Sequence, residues 1–166
     1  MTSFKTMLAV VGAAGLISAL AIAQAPNRPE RDAAWHNAQA LYLLELKSED
    51  GWASTASGLR YRRVKEGPGD ARPSPTDTVT IHYTGRLIDG TEFDSSVARG
   101  EPATFPLPRL IKGWQQGVPL MQVGDTFEFA IPYQLAYGAK GKGSIPGGAT
   151  LLFTIELLGI GEGQPS

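Results

Sequence analysis

Tyr83, Phe93 and Asp94 fall within one short run, VTIHYTGRLIDGTEFDSS over residues 79–96, and are the residues best placed to act on another molecule. Two aromatic rings and a lone carboxylate, gathered around a turn at Asp89-Gly90, suit a small apolar pocket with a single polar anchor. The run contains no nucleophile beside a base and no phosphate-binding loop. His36 and His82 are too far apart in sequence to read as a metal site. The Gly-rich stretch 138–148 lacks a following Lys-Ser/Thr pair and does not open a helix, so it does not read as a phosphate loop either. Nothing calls for a metal or a cofactor. The chemistry left is what apolar surfaces and a few directed hydrogen bonds can do.

The elements that must position these residues are short and mostly extended. Residues 76–87 form the long strand, with Val79, Ile81 and Tyr83 on one face and Thr80, His82 and Thr84 on the other. The Asp89-Gly90 pair is a strong hairpin signal. Residues 59–66 read as a strand, 67–75 as a turn-rich loop, and 54–58 as a small-residue linker. Three prolines make 101–108 an irregular or edge segment. Residues 111–121 read as a short helix that ends or kinks at Pro119, where a hydrogen bond is lost at some structural cost. Strands follow at 125–131 and 150–158, separated by a long Gly-rich loop at 132–148. The sum is an α+β domain at 57–161, with four or five antiparallel strands and one short helix covering a face.

The bulk composition sets the remaining bounds. The 166 residues allow one ordinary domain plus an extension, and 42% hydrophobic content supports a core. A formal net charge of −1 gives no reason to expect nucleic acid as a partner. With no Cys, the chain cannot be anchored as a lipoprotein through an N-terminal cysteine. The 20 Gly and 12 Pro favour a β-rich body with many turns. Lys5 precedes an uncharged, small and apolar stretch at 7–23, which reads as an export leader cut after Ala23. The alternative is an uncleaved anchor at the short limit for a membrane span, the one case in which the chain would touch a membrane. Either reading places the body outside the cytoplasm, in a periplasm or otherwise exported. Residues 24–56 hold a helix over 31–49, with Trp35, Ala38, Leu41, Tyr42 and Leu46 near helical spacing. That helix either packs on its own domain or joins two copies as a homodimer. Residues 162–166 are a tail.

Five blocks in order carry a family resemblance: SGLRY, the run at 79–96, FPLPRLIKGWQQGV, IPYQLAYG and IPGGATLLFTIELL. Together they span about 57–159 and resemble the FKBP-type peptidyl-prolyl cis-trans isomerases, which bind macrolides. SGLRY, the FPL segment and the leader look like the exported bacterial subgroup related to macrophage infectivity potentiator. The resemblance implies a bent antiparallel sheet wrapped over one short helix, with the active pocket between them. It implies catalytic roles for Tyr83, Phe93, Asp94, Tyr137 and Phe153. Arg99, Phe105, Leu110, Ile111, Trp114 and Ile145 would bind substrate, with Trp114 as the floor at the start of the helix. Main-chain groups near Arg109 and Ile111, with the Tyr137 hydroxyl, would hold the ligand.

The implied function is isomerisation of X-Pro bonds during folding of exported proteins. Proline-containing polypeptides would be substrates and macrolides inhibitors. The rival is a proline-binding chaperone or docking module without turnover. Taken singly, Trp114, Phe105 and Phe153 read equally as plain core, Asp94 as a turn cap and Arg99 as a solvated charge. Leu110 stands where Val is usual in the family. Ser144 replaces a common apolar residue, and Gly147-Gly148 should loosen the loop tip. These last departures bear on substrate preference rather than on the reaction.

Overall fold

The computed structural model describes residues 33–161. The expected leader at 1–23, the residues up to 32 and the tail at 162–166 lie outside the described residues. Among the described residues there are three α-helices, α1 (Ala33–Glu45), α2 (Ser96–Arg99) and α3 (Lys112–Gly117). The strands are β1 (Ala53–Ser54), β2 (Arg60–Lys65), β3 (Thr78–Leu87), β4 (Glu92–Ser95), β5 (Ala103–Pro106), β6 (Thr126–Ile131), β7 (Gly141–Lys142), β8 (Ile145–Pro146) and β9 (Leu151–Gly161). No described helix is long and apolar enough to cross a membrane.

Seven strands make one sheet in the order β1-β2-β6-β9-β3-β4, with β5 also paired to β3. All the pairings are antiparallel. The α+β class holds, but the strand count exceeds the four or five expected. The short pieces β1 and β5 escape a periodicity reading because two to four residues cannot show a period. β1 lies beside the stretch read as a small-residue linker, and β5 is the Pro-flanked edge of 101–108. Register shifts interrupt β2 between Arg63 and Lys65, and β3 at Thr80/Ile81 and again at Gly85/Arg86. Such shifts bend a strand and raise its twist, so the sheet curves instead of lying flat.

The alternation read in β3 sets the core. Val79, Ile81 and Tyr83 are buried, and they join Phe127, Phe129 and Ile131 of β6 and Leu151, Phe153, Ile155 and Leu157 of β9. Helix α3 closes this concave face and buries Gly113, Trp114 and Gly117. The two glycines are one helical turn apart, on the face that meets the sheet. A Cβ at Gly113 would lie 2.4 Å from Ile131 Cγ2, and one at Gly117 would lie 2.5 Å from Phe129 Cε1. The absent side chains let the helix backbone sit directly on β6, with Trp114 between them pointing into the core. Helix α3 ends at Gly117, before Pro119, which occupies the following 3₁₀ turn (Val118–Leu120). In the first turn of that element its missing N–H is not needed, so the expected structural cost is not incurred.

Two further expectations are corrected. Helix α1 stops at Glu45, short of 49, and its buried face does not follow the apolar stripe read from sequence. Trp35, Tyr42 and Leu46 are half-buried, while Ala38 and Leu41 face solvent. The buried centre is Gln39, whose side-chain oxygen accepts the Thr150 N–H at 2.8 Å while the Thr150 hydroxyl reaches the Gln39 carbonyl at 3.4 Å. A polar side chain can take the central buried position because Thr150, just before β9, donates its main-chain N–H to it. The segment 132–148 is likewise not a plain loop: it holds a 3₁₀ turn (Tyr133–Leu135) and the β7–β8 ribbon.

The outer edge of β3 is shared between two strands. β5 pairs with residues 78–81 and β4 with 84–86, which leaves Tyr83 between them with its main chain facing neither strand. The fully buried Ser96 closes the gap. Its hydroxyl accepts the Tyr83 N–H at 2.8 Å and donates to the Tyr83 carbonyl at 3.3 Å. His82 Nδ1 lies 3.1 Å from the same oxygen. Ser96→Ala leaves both main-chain groups of Tyr83 without partners inside the fold. It is expected to lower the unfolding free energy by about 2 kcal/mol, measured by urea denaturation. An unchanged midpoint with an unchanged slope would contradict this account.

Candidate active site

A cleft of about 270 Å³ opens between α3 and the concave face of the sheet. It is lined by Tyr83, Phe93, Asp94, Phe105, Arg109, Leu110, Ile111, Trp114, Tyr137, Lys142 and Phe153. Nine residues expected at the site are therefore in one place, although they come from seven separate elements or turns. Arg99 and Ile145 do not line it. Arg99 stands behind Asp94, and Ile145 packs partly buried against the core. Lys142 and the side chain of Arg109 are additions. The alternation of Lys with Gly at 140–143 was the available signal for Lys142, and a composition reading absorbs it into a flexible loop.

Trp114 is the centre of the aromatic arrangement. Its ring meets Tyr83 at 5.2 Å, Phe153 at 5.1 Å and Phe105 at 6.2 Å, all edge-to-face. Phe93 meets Phe153 in the same way at 5.6 Å. Edge-to-face contact places the positive rim of one ring against the negative face of the next, which fixes orientation as well as area. Gly85 makes room for two of these rings. A Cβ there would lie 2.7 Å from both the Phe153 and Phe93 ring atoms. The Trp114 Nε1–H is buried without a hydrogen-bond partner among the described residues. A buried unpaired donor costs about 1–3 kcal/mol, which the surrounding ring contacts must outweigh.

The polar part is a closed triangle. The Tyr83 hydroxyl donates to Asp94 Oδ2 at 2.6 Å, Arg99 Nη1 donates to Asp94 Oδ1, and Arg99 Nη2 donates to the Tyr83 oxygen at 3.0 Å. Local sequence explains the placement. Asp94 is the penultimate residue of β4, and Ser95, which closes it, caps α2 by accepting the Ala98 N–H at 3.1 Å. The single turn of α2 then brings Arg99 back over Asp94. The cap belongs to Ser95, and Asp94 faces the cleft.

Burial acts to raise the Asp94 carboxyl, but the Tyr83 and Arg99 hydrogen bonds outweigh it and hold the group below the usual carboxylate range. Burial raises the Tyr83 hydroxyl, and its bond to Asp94 adds to the rise. Burial also raises Tyr137, with the Asp94 charge as a second cause. Tyr137 thus stays protonated, and its hydroxyl makes no hydrogen bond with any described residue. The Ile111 main-chain N–H, just ahead of α3, also has no partner among the described residues. The Ile111 carbonyl, by contrast, accepts from Trp114 and Gln115, and the Leu110 carbonyl accepts from the Gln115 side chain. The cleft therefore presents an apolar floor and walls, two free donors and a carboxylate whose oxygens are already engaged.

Residues 69–158 match the FKBP-type peptidyl-prolyl cis-trans isomerase family. A relative from Aeromonas hydrophila named FKBP-type peptidyl-prolyl cis-trans isomerase FkpA is 56% identical over 119 residues, 72% of this chain and 44% of that protein. The crystal structure of FkpA from Escherichia coli superposes with a TM-score of 0.75 at 40% identity, covering 81% of this chain and 63% of that one. A peptidyl-prolyl cis-trans isomerase structure from Pseudomonas syringae gives a TM-score of 0.71 at 31% identity, covering 83% and 98%. The chain spans about half the length of the curated relatives it matches.

The charge triangle makes an acid-side prediction. The fold lowers the Asp94 pKa, so ionised Asp94 favours the folded state. This contribution is complete above the unfolded carboxyl value of about 4 and is lost as pH falls through the lowered folded value. Asp94→Asn should therefore lose less stability than the native chain on going from about pH 5 to about pH 2, measured by urea unfolding at each pH. Parallel acid limbs for the two proteins would show that Asp94 does not couple to folding.

Proposed function

The chain belongs to the FKBP-type peptidyl-prolyl cis-trans isomerases, and we propose that its aromatic cleft accelerates rotation about X-Pro peptide bonds. The observation that carries this reading is the Trp114-centred cluster with free donors at Tyr137 and Ile111 on its rim. An X-Pro amide resists rotation by roughly 18–20 kcal/mol because twisting breaks its resonance. Uncatalysed exchange takes tens to hundreds of seconds, so reaching milliseconds requires lowering the barrier by about 6–7 kcal/mol. No covalent bond forms or breaks, and no nucleophile or cofactor is required.

The twisted amide carries less charge separation than the planar one. A dry aromatic cavity therefore penalises the planar ground state more than the transition state, which is differential binding. Trp114, Phe105 and Phe153 take the proline ring, whose rigidity lets it bury apolar area with little loss of freedom. The Tyr137 hydroxyl and the Ile111 N–H donate to substrate carbonyls on either side of the turning bond and hold its ends. Phe93 and Tyr83 form the wall beyond. Asp94 stabilises polar or partly positive groups near the twisting carbonyl, and Arg99 holds that carboxylate in place. Leu110 sets the shape of the pocket edge, and Ile145 supports it from behind as the β8 partner of Lys142. Macrolides would occupy the same cleft as inhibitors.

The export leader at 1–23 would deliver this activity to the periplasm, on folding clients whose X-Pro bonds are exposed. Leu41 and Leu44 of α1 are 55% and 69% exposed, which favours pairing of two chains through 31–49 as part of the same reading. A single species of monomer mass in light scattering at high concentration would exclude that pairing.

Exchange NMR on a Leu-Pro peptide tests the activity. The native chain should accelerate exchange, and Tyr137→Phe and Asp94→Ala should each lower kcat/KM by about tenfold, the loss of roughly 1.4 kcal/mol. Binding of the peptide without acceleration would favour a proline-binding chaperone module instead.

A further inference from the structure

We propose that the rim of the cleft selects prolyl segments with an acidic side chain next to the proline, recognised by Lys142 and Arg109. This rests on the isomerase reading of the cleft and adds the charge of the preferred substrate to it. Three charged residues line the cleft: Asp94, Arg109 and Lys142. Asp94 is engaged on both oxygens, and its pairing with Arg99 leaves that part of the site close to neutral. Arg109 and Lys142 make no ion pair with any described residue. A bound segment therefore faces two uncompensated positive charges. The whole chain has a formal charge of −1, so a general basic composition does not explain this rim.

Both cations are exposed side chains on locally ordered backbone. Arg109 ends the 3₁₀ turn Leu107–Arg109, immediately before the Leu110 and Ile111 lining. Lys142 lies in β7, paired in register with Ile145 of β8, and Ile145 packs against the core. The Lys142 ammonium sits 5.6 Å from the centre of the Tyr137 ring, a cation–π contact that keeps it beside the hydroxyl proposed to hold substrate. Successive residues of an extended peptide advance about 3.3–3.6 Å. A side chain directly before or after the bound proline thus reaches the same small cleft as these two groups. Carboxylates there would be attracted and ammonium groups repelled, in a manner weakened by salt.

The test uses acetyl- and amide-capped peptides carrying Glu, Gln or Lys directly before the proline, in place of the Leu, or directly after it in the Leu-Pro peptide. For each, kcat/KM is measured by exchange NMR and affinity by titration. At least one position should favour Glu over Lys by about fivefold at low ionic strength, the scale of two exposed charge pairs. The ratio should approach one near 1 M salt, where the screening length is about 3 Å. In a Lys142→Glu, Arg109→Glu double variant it should invert. Ratios within twofold at both positions at low salt would overturn the proposal, as would a preference that the double variant retains. Unfolding curves establish that the variant is folded. Should no peptide be turned over, the isomerase reading fails separately, and the affinity ratios still decide whether the rim selects charge.

Discussion

The main chain of Tyr83 lies where the two edge strands on β3 both run out, and one buried serine hydroxyl completes its hydrogen bonding. Without Ser96 the middle of the long inner strand β3 would expose a donor and an acceptor inside the fold. With it, β4 and β5 pair with separate stretches of the same edge, and residues of both line the cleft. Tyr83 is held from both sides, by Ser96 at its backbone and by Asp94 and Arg99 at its hydroxyl. Phe93 and Asp94 on β4 and Phe105 on β5 are set around the same point. The curved sheet, the wall of the cleft and the charge triangle thus share one local solution to a backbone accounting problem.

The second constraint is the close approach of α3 to β6. A six-residue helix has little stability of its own, and its place depends on packing. Gly113 and Gly117 bring its backbone onto Ile131 and Phe129, and this depth puts the Trp114 ring within 5.1–5.2 Å of Phe153 and Tyr83. The same burial leaves the indole N–H unpaired. The unpaired donor sits in the floor of the cleft, a place where folds commonly accept a local cost for a functional surface.

The electrostatics divide the cleft into two zones. Around Asp94 every oxygen is committed and the field is fixed before any ligand arrives, which is preorganisation in the sense that matters for catalysis. Around Tyr137 and the β7–β8 ribbon the donors and cations are unpaired. The inner zone suits a reaction that only turns a bond, and the outer zone suits discrimination among the chains that carry it.

Much of this was legible from the sequence. The alternation of β3 identified Val79, Ile81 and Tyr83 as inward and His82 as outward, because a pleated strand has a strict period of two. The ordered aromatic blocks determined the family and nine of the cleft residues. Position in the tertiary structure decided the rest. Gln39 is buried while Leu41 is exposed, because Thr150, 111 residues away in sequence, supplies partners that no local pattern announces. Pro119 carries no penalty because α3 stops before it. Lys142 enters the site because the Gly-rich segment folds into a ribbon against the core, and Ile145 leaves the lining for the same reason. Residue types and periods reveal which surfaces are apolar and which chemistry is available. Which polar groups find partners, and which remain free to meet a ligand, depends on contacts between distant segments that only the folded chain brings together.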